Sequence, residues 1–277
     1  MWTPQVLARA RLCLSIALIG VAAVAVADAS AQDVLHVYGS EGPFPPIHEA
    51  AQAFGQKNDV KLDVVSGPTD KWLDQARGDA DVIFASAAFM MSDFIHAGEL
   101  RIDPDTATPL YARPSAILVR PGNPKGIRDF LDLLKPGVRV MVVTGSGQTG
   151  LWEDMAGKQG DIQTIRALRK NIVVFAVNST EAVKTWREKD DIDAWLTWSI
   201  WHLPLHDHAD LVHVSKDYVI YRYCYVALTE RGKGKPRAVE FAEFLKSAEG
   251  AKIFESWDWI VAPPGSQPLT EPEPSQR

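Results

Sequence analysis

Cysteine is scarce in this chain: its 277 residues include two, Cys13 and Cys224. Cys13 lies inside an N-terminal leader, so the processed chain has no disulfide partner for Cys224 and must be held together by packing. Positive charge is short too, with 29 Lys and Arg against 35 Asp and Glu and a formal net charge of −6. An acidic surface argues against nucleic acid and against an anionic membrane surface as partners. Beyond residue 26 no apolar run is long enough to cross a membrane, so insertion after removal of the leader is not expected. Heptads and internal repeats are missing. So are G-x-S-x-G and H-E-x-x-H, the signatures of a nucleophile elbow and of a zinc hydrolase. Asp190-Asp191 falls in a charged turn, and nothing in the sequence couples Ser146 to a histidine base. The case for catalysis is poor, and neither an enzyme nor a cofactor is expected.

What is present begins with the leader. Arg9 and Arg11 precede an apolar stretch over 12–26, and Ala29-Ser30-Ala31 forms a small-residue cleavage site, so residues 1–31 have the pattern of an export signal. That predicts an exported mature chain. The full sequence has 46% hydrophobic residues and nine tryptophans, enough to bury the core of one or two domains, and a monomer is expected.

Strand and helix patterns then alternate, which predicts a mostly parallel sheet with helices on its faces. The organising stretch is Val37-Tyr38-Gly39-Ser40-Glu41-Gly42-Pro43-Phe44. A strand ends there, Pro45 and Pro46 suit a first helical turn, and Ile47, Ala50, Ala51 and Phe54 recur on one helix face. Val60, Leu62 and Val64 alternate as a strand. Thr69 is placed to cap a helix that buries Trp72, Leu73 and Ala76. Val82-Ile83-Phe84-Ala85 is a buried strand, followed by a helix over 87–97 that Gly98 closes. A change comes near Tyr111-Ala112-Arg113-Pro114, followed by a strand over 116–120, and a helix is expected over about 127–134. Further strands fall at 138–143, 172–177, 194–198 and 218–228. Asn178 and Glu181 have the spacing of a capping box. Ala238, Phe241, Ala242 and Leu245 mark a C-terminal helix, and the Pro/Ser/Glu-rich residues 263–277 are expected to be disordered.

Four joints share one design: a strand ends in small residues and a helix opens. They lie at Ser40-Glu41-Gly42, Gly67-Pro68-Thr69, Gly145 to Gly150, and Asn178-Ser179-Thr180. Each leaves free backbone N–H groups at the positive end of a helix dipole, a seat for an anion. Gly145, Gly147 and Gly150 match G-x-G-x-x-G, but the next strand ends at Asn178 instead of the acidic residue that holds a ribose. Anion capture fits better than a dinucleotide, with a ligand-free turn as the alternative. His202, His206, His208 and His213 cluster around Pro204 without metal-ligand spacing, which favours a solvated loop. Arg222 shares a strand face with Ile220, Cys224 and Val226, and a buried guanidinium needs a partner. Two partners stay open, a structural aspartate or the carboxylate or sulfate group of a ligand.

Taken in order, five motifs resemble one family. They are Tyr38-Gly39-Ser40-Glu41-Gly42-Pro43, Ser66-Gly67-Pro68-Thr69-Asp70-Lys71-Trp72, Asp79-Ala80-Asp81-Val82-Ile83-Phe84, Thr197-Trp198-Ser199-Ile200-Trp201 and Phe244-Leu245-Lys246-Ser247-Ala248-Glu249-Gly250. Together they resemble bacterial periplasmic substrate-binding proteins of the two-lobed type II fold. These include the molybdate-, tungstate- and sulfate-binding components of ABC importers, and within them the chain is most similar to the accessory colonisation factor C group. The resemblance covers residues 33–262 and implies an α/β fold of two lobes, each a mostly parallel sheet flanked by helices. The first lobe would comprise 32–113 plus 231–277 and the second 114–230.

A small anion would lie in the cleft between them. The resemblance implies Ser40, Glu41, Gly42 and Thr69 on one side, with Ser146, Gly147, Gln148, Thr149, Asn178 and Ser179 on the other. A family tyrosine falls at Trp198, which offers only an N–H donor and argues against strict molybdate specificity. Delivery to an ABC permease or a chemoreceptor is implied. Two other ligand classes stay open. A small carboxylate or sulfated organic molecule is favoured if Arg222 enters the cleft, and mucus or glycan binding would need an exposed aromatic surface.

Overall fold

Leu35, Val37 and Tyr38 are fully buried, as expected of a strand covered on both faces. They belong to β1 (Leu35–Gly39), the first element of the computed structural model, which describes residues 34–262. The expected leader and the expected disordered tail lie outside the described residues. The following helix, α1 (Phe44–Asn58), buries Pro46, Ile47, Ala50, Ala51 and Phe54, the face marked by their spacing. Next come β2 (Leu62–Ser66), α2 (Leu73–Asp79), β3 (Val82–Ala85) and α3 (Ala88–Ala97). Gly98 closes α3 in the left-handed conformation, at φ 70°. Thr69 does not cap α2. It starts a separate 3₁₀ turn, Thr69–Lys71, too far ahead of Leu73 for its hydroxyl to reach the helix, and no side chain caps α2.

The strand expected over 116–120 starts earlier, ahead of Tyr111-Ala112-Arg113-Pro114. β4 (Thr108–Val119) runs through both Pro109 and Pro114. Its register against a partner strand shifts between Pro109 and Ala112, and such irregular positions tolerate a residue without an N–H. The helix expected over 127–134 contracts to a 3₁₀ turn, Phe130–Leu134, opened by an Asp129–Asp132 capping box. The remaining elements are β5 (Val140–Val143), α4 (Leu151–Gly157), α5 (Ile162–Asn171), β6 (Ile172–Ala176), α6 (Ser179–Glu188), β7 (Ala194–Trp198), β8 (Asp210–His213), β9 (Tyr221–Leu228), α7 (Glu230–Lys233), α8 (Pro236–Lys246) and α9 (Ala248–Ser256).

The strand order is β2-β1-β3-β9-β4-β7-β5-β6, with β8 also on β4. Both ends are parallel: β1 with β2 and β3, β5 with β6 and β7. The middle is antiparallel, because β9 pairs with β3 and β4, and β4 with β7 and β8. Two long strands therefore join two α/β halves. The α/β expectation holds, and this antiparallel link is the part that local patterning did not reveal. Trp72, Trp186, Trp195, Trp198 and Trp259 are all fully buried, and truncating any one would cost about 3–5 kcal/mol. Asp81, fully buried, accepts the His36 N–H at 3.0 Å and pairs with Lys235 at 3.0 Å and Arg231 at 3.2 Å. It ties the parallel β1 and β3 to the C-terminal segment.

Candidate functional site

Strand ends from both halves deliver their loops to one place. β1 leads into Ser40-Glu41-Gly42, β3 into Ser86, β5 into a 3₁₀ turn over Ser146–Gln148, β6 into Asn178, and β7 ends at Trp198. A cavity of about 10 Å³ lies among them. Glu41, Gly42, Ser86 and Arg113 form one wall, and Ser146, Gly147, Gln148, Ser179, Trp198 and Trp201 the other. The space between the two walls is small, so as they stand it suits only a compact guest.

Glycine makes this approach possible. A Cβ at Gly147 would stand 2.4 Å from the Ser86 Cβ and 2.9 Å from Arg113 Nη2. Its neighbour Ser146 is held at φ 52°, in the left-handed region that few non-glycine residues adopt. Gln148 fixes the turn from beneath: its amide donates to Ser179 Oγ at 3.1 Å and its carbonyl accepts from Thr197 Oγ1 at 3.0 Å. Asn178 caps α6 by accepting the Glu181 N–H at 2.8 Å. Glu181 reaches back to the N–H of Val177 at 2.8 Å, one residue before the position a capping box would use. First-turn N–H groups of the 3₁₀ turn and of α6 lack intrahelical partners by geometry, and the α6 dipole adds positive potential there. On the opposite wall the Ser40 and Ser86 hydroxyls lie 2.5 Å apart, both almost fully buried.

Arg113 supplies the charge. It is 1% exposed, and its Nη2 donates to the Ser86 carbonyl at 2.7 Å, while Nε and Nη1 have no hydrogen-bond partner among the described residues. The guanidinium lies 4.6 Å from the Trp198 ring and 4.8 Å from the Trp259 ring. Burial pushes its pKa down to about 9; Cys224 opposes this and Arg222 adds to it. The group stays cationic at neutral pH. A buried cation with unused donors is costly unless an anion joins it, and its planar fork matches an oxyanion. Glu41 is the opposing element. One of its carboxylate oxygens accepts from the Thr180 hydroxyl across the two walls, and the other is buried without a partner among the described residues. Burial raises the Glu41 pKa, with the Thr180 contacts working against that rise.

Of the residues expected in the site, Glu41, Gly42, Ser146, Gly147, Gln148, Ser179 and Trp198 line the cavity, and Ser40 touches it through Ser86. Four others do not line it. Thr69 remains in its turn after β2, and Ser86 presents the second hydroxyl instead. Thr149 turns its hydroxyl back to the carbonyls of Ser146 and Thr144 at 3.1 and 3.3 Å. Asn178 is occupied as a cap. Arg222 pairs with Asp154 at 2.7 Å and donates to the carbonyls of Thr149 and Gly147 at 2.8 and 3.3 Å, so it braces the glycine-rich turn from behind. Trp198 uses its indole N–H on the Gly147 carbonyl at 3.3 Å and its ring face on Arg113. His206 is exposed beside Asp207. Among the described residues no three His, Cys, Asp or Glu side chains gather in metal-binding geometry.

Ser86, Arg113 and Trp201 were not expected. Arg113 had a legible signal, a charge among Tyr111, Ala112 and Pro114 in a segment that is otherwise apolar. The argument applied to Arg222 fits it equally well.

Two α/β halves joined by shared strands, with a charged cavity where their loops meet, define a two-lobed solute-binding protein. The family model for bacterial extracellular solute-binding proteins matches residues 35–259, and the chain belongs to that family. The sulfate-binding protein of Escherichia coli (strain K12) is 31% identical over 139 residues, 43% of this chain and 41% of that protein. The chain thus matches less than half the length of that relative. The crystal structure of Peb3 from Campylobacter jejuni is 33% identical with a TM-score of 0.74, covering 82% of this chain and 99% of that one. PEB3 has also been solved bound to L-phospholactate, at 33% identity and a TM-score of 0.75 over the same shares. The sulfate-binding protein SubI from Mycobacterium tuberculosis H37Rv shares the fold, with 21% identity and a TM-score of 0.70 over 83% of this chain and 88% of that one.

Proposed function

We propose that this chain captures a small anion of the sulfate or molybdate kind between two lobes in the periplasm and presents it to an ABC permease or a chemoreceptor. Within the described residues the lobes are 34–113 with 231–262, and 114–230, so Arg113 stands at the crossing between them. One observation carries the reading: a fully buried guanidinium with two unused donors faces a cavity rimmed by serine hydroxyls and first-turn N–H groups. Family membership supports solute binding, and the sulfate-binding relatives support a tetrahedral oxyanion. Separation of the walls would admit the anion. Closure would seat Gly147 against Ser86, remove water from the charge, and strengthen every donor contact in the dry site. A single cation with neutral donors suffices, so the acidic net charge is no obstacle.

A thermal-shift panel of sulfate, molybdate, tungstate and phosphate tests this. A true ligand at a hundred times its dissociation constant stabilises the fold by about 2.7 kcal/mol. The shift should vanish in Arg113→Met. Silence across the panel and its small organic esters would sink the proposal.

A further inference from the structure

Next to the anion cavity lies a second space of about 530 Å³. Pro45, Pro46, Ile200, Leu203, Trp257 and Trp259 form most of its wall, and Glu41, Gly42 and Trp201 line both spaces. The two are therefore neighbours that share a boundary. An inorganic oxyanion would make no use of the second. Its size falls within the roughly 300–1,000 Å³ of small-molecule sites, and its lining of tryptophan, proline and aliphatic residues is the kind that buries an apolar body.

Two unpartnered polar groups mark the boundary. Trp259, whose ring carries Arg113 at 4.8 Å, is 1% exposed and its indole N–H has no hydrogen-bond partner among the described residues. Glu41 keeps one buried oxygen without a partner. That oxygen would accept a hydroxyl or ammonium group and would repel a second negative charge.

We propose, resting on the anion-binding reading above, that the anion is the head of a small organic molecule whose ring-sized apolar body fills the tryptophan-lined pocket beside Arg113. The ligand class is a single anionic group joined to an apolar body, with any hydrogen-bond donor placed near the junction, where Glu41 waits.

Calorimetric titration of the full processed chain with phenyl phosphate against inorganic phosphate, and with phenyl sulfate against sulfate, tests the claim. At least one aryl ester should bind roughly tenfold or more tightly than its inorganic parent, since the ring leaves water for an apolar wall. Leu203→Trp, which fills the second pocket without touching the cavity, should erase that advantage and leave the parent anion unchanged. Equal affinities for parent and ester overturn the inference while leaving the anion site standing. So does a Leu203→Trp chain that loses parent and ester alike. An ester whose affinity survives Arg113→Met overturns it as well, because head and body would then not share one site. No binding by any parent or ester defeats the anion reading itself and this inference with it.

Discussion

Arg113 and Arg222 stand directly opposite each other across the β4–β9 pair, and of the two only Arg222 has a carboxylate among the described residues, that of Asp154. Like charges opposed on neighbouring strands repel. Asp154 relieves one of them, and the other is left buried with donors unused. The cavity beside Arg113 is where a negative guest would complete the balance.

Arg113→Met should therefore change stability and binding in opposite directions. Replacing an unpaired buried charge with an apolar side chain of similar length leaves the free protein at least as stable. Anion affinity should fall by about 2–5 kcal/mol. Thermal melts with and without ligand give both numbers. A large drop in the melting temperature of the free variant would show that Arg113 is a structural prop.

Gly147→Ala probes the contact between the walls. Its Cβ would meet the Ser86 Cβ at 2.4 Å, so the closed arrangement must open slightly to admit it. Affinity should drop roughly tenfold or more, about 1.4 kcal/mol. Ser86→Gly should restore part of it by removing that Cβ. Titration calorimetry on the single and double variants decides, and an unaffected single variant would mean that the walls do not need to touch.

Glu41 should make binding pH-dependent. Burial raises its pKa, so the folded chain holds this proton more tightly than an unfolded one. That contribution to stability is complete below the ordinary carboxylate pKa and fades as pH rises through the raised value. Protonation also removes a negative charge from the anion's surroundings. Affinity should therefore climb as pH falls through the same range, with proton uptake on binding. Glu41→Gln should flatten the profile at its low-pH level. Calorimetry in buffers of different ionisation enthalpy detects the proton, and release instead of uptake would contradict the assignment.

Arg222 and Asp154 should act as one unit. Arg222→Gln and Asp154→Asn each loosen the glycine-rich turn, and a double-variant cycle on anion affinity should give a coupling of about 1 kcal/mol. An Arg222→Gln loss far larger than that of Asp154→Asn would place Arg222 on the ligand after all.

Much of the fold was legible because its causes are local. Ile47, Ala50, Ala51 and Phe54 lie on the buried side of α1 as their spacing requires, and Gly98 ends α3 because a left-handed residue is needed there. The loops at Ser40, Ser146 and Ser179 were recognisable as strand–helix joints for the same reason. The start of β4 was missed, since Thr108 to Pro114 join the strand by pairing with β9, a partner about a hundred residues away.

Residue order alone determined the alternation of strands and helices, the apolar faces that bury them, and the need of any arginine in an apolar strand for a negative partner. Tertiary structure alone decided which arginine goes without one. Arg222 meets Asp154 from 68 positions away in sequence, while the cavity beside Arg113 takes its walls from both halves of the molecule. Local periodicity carries no record of such meetings, because electrostatic pairing depends on distance through space and not on separation along the chain.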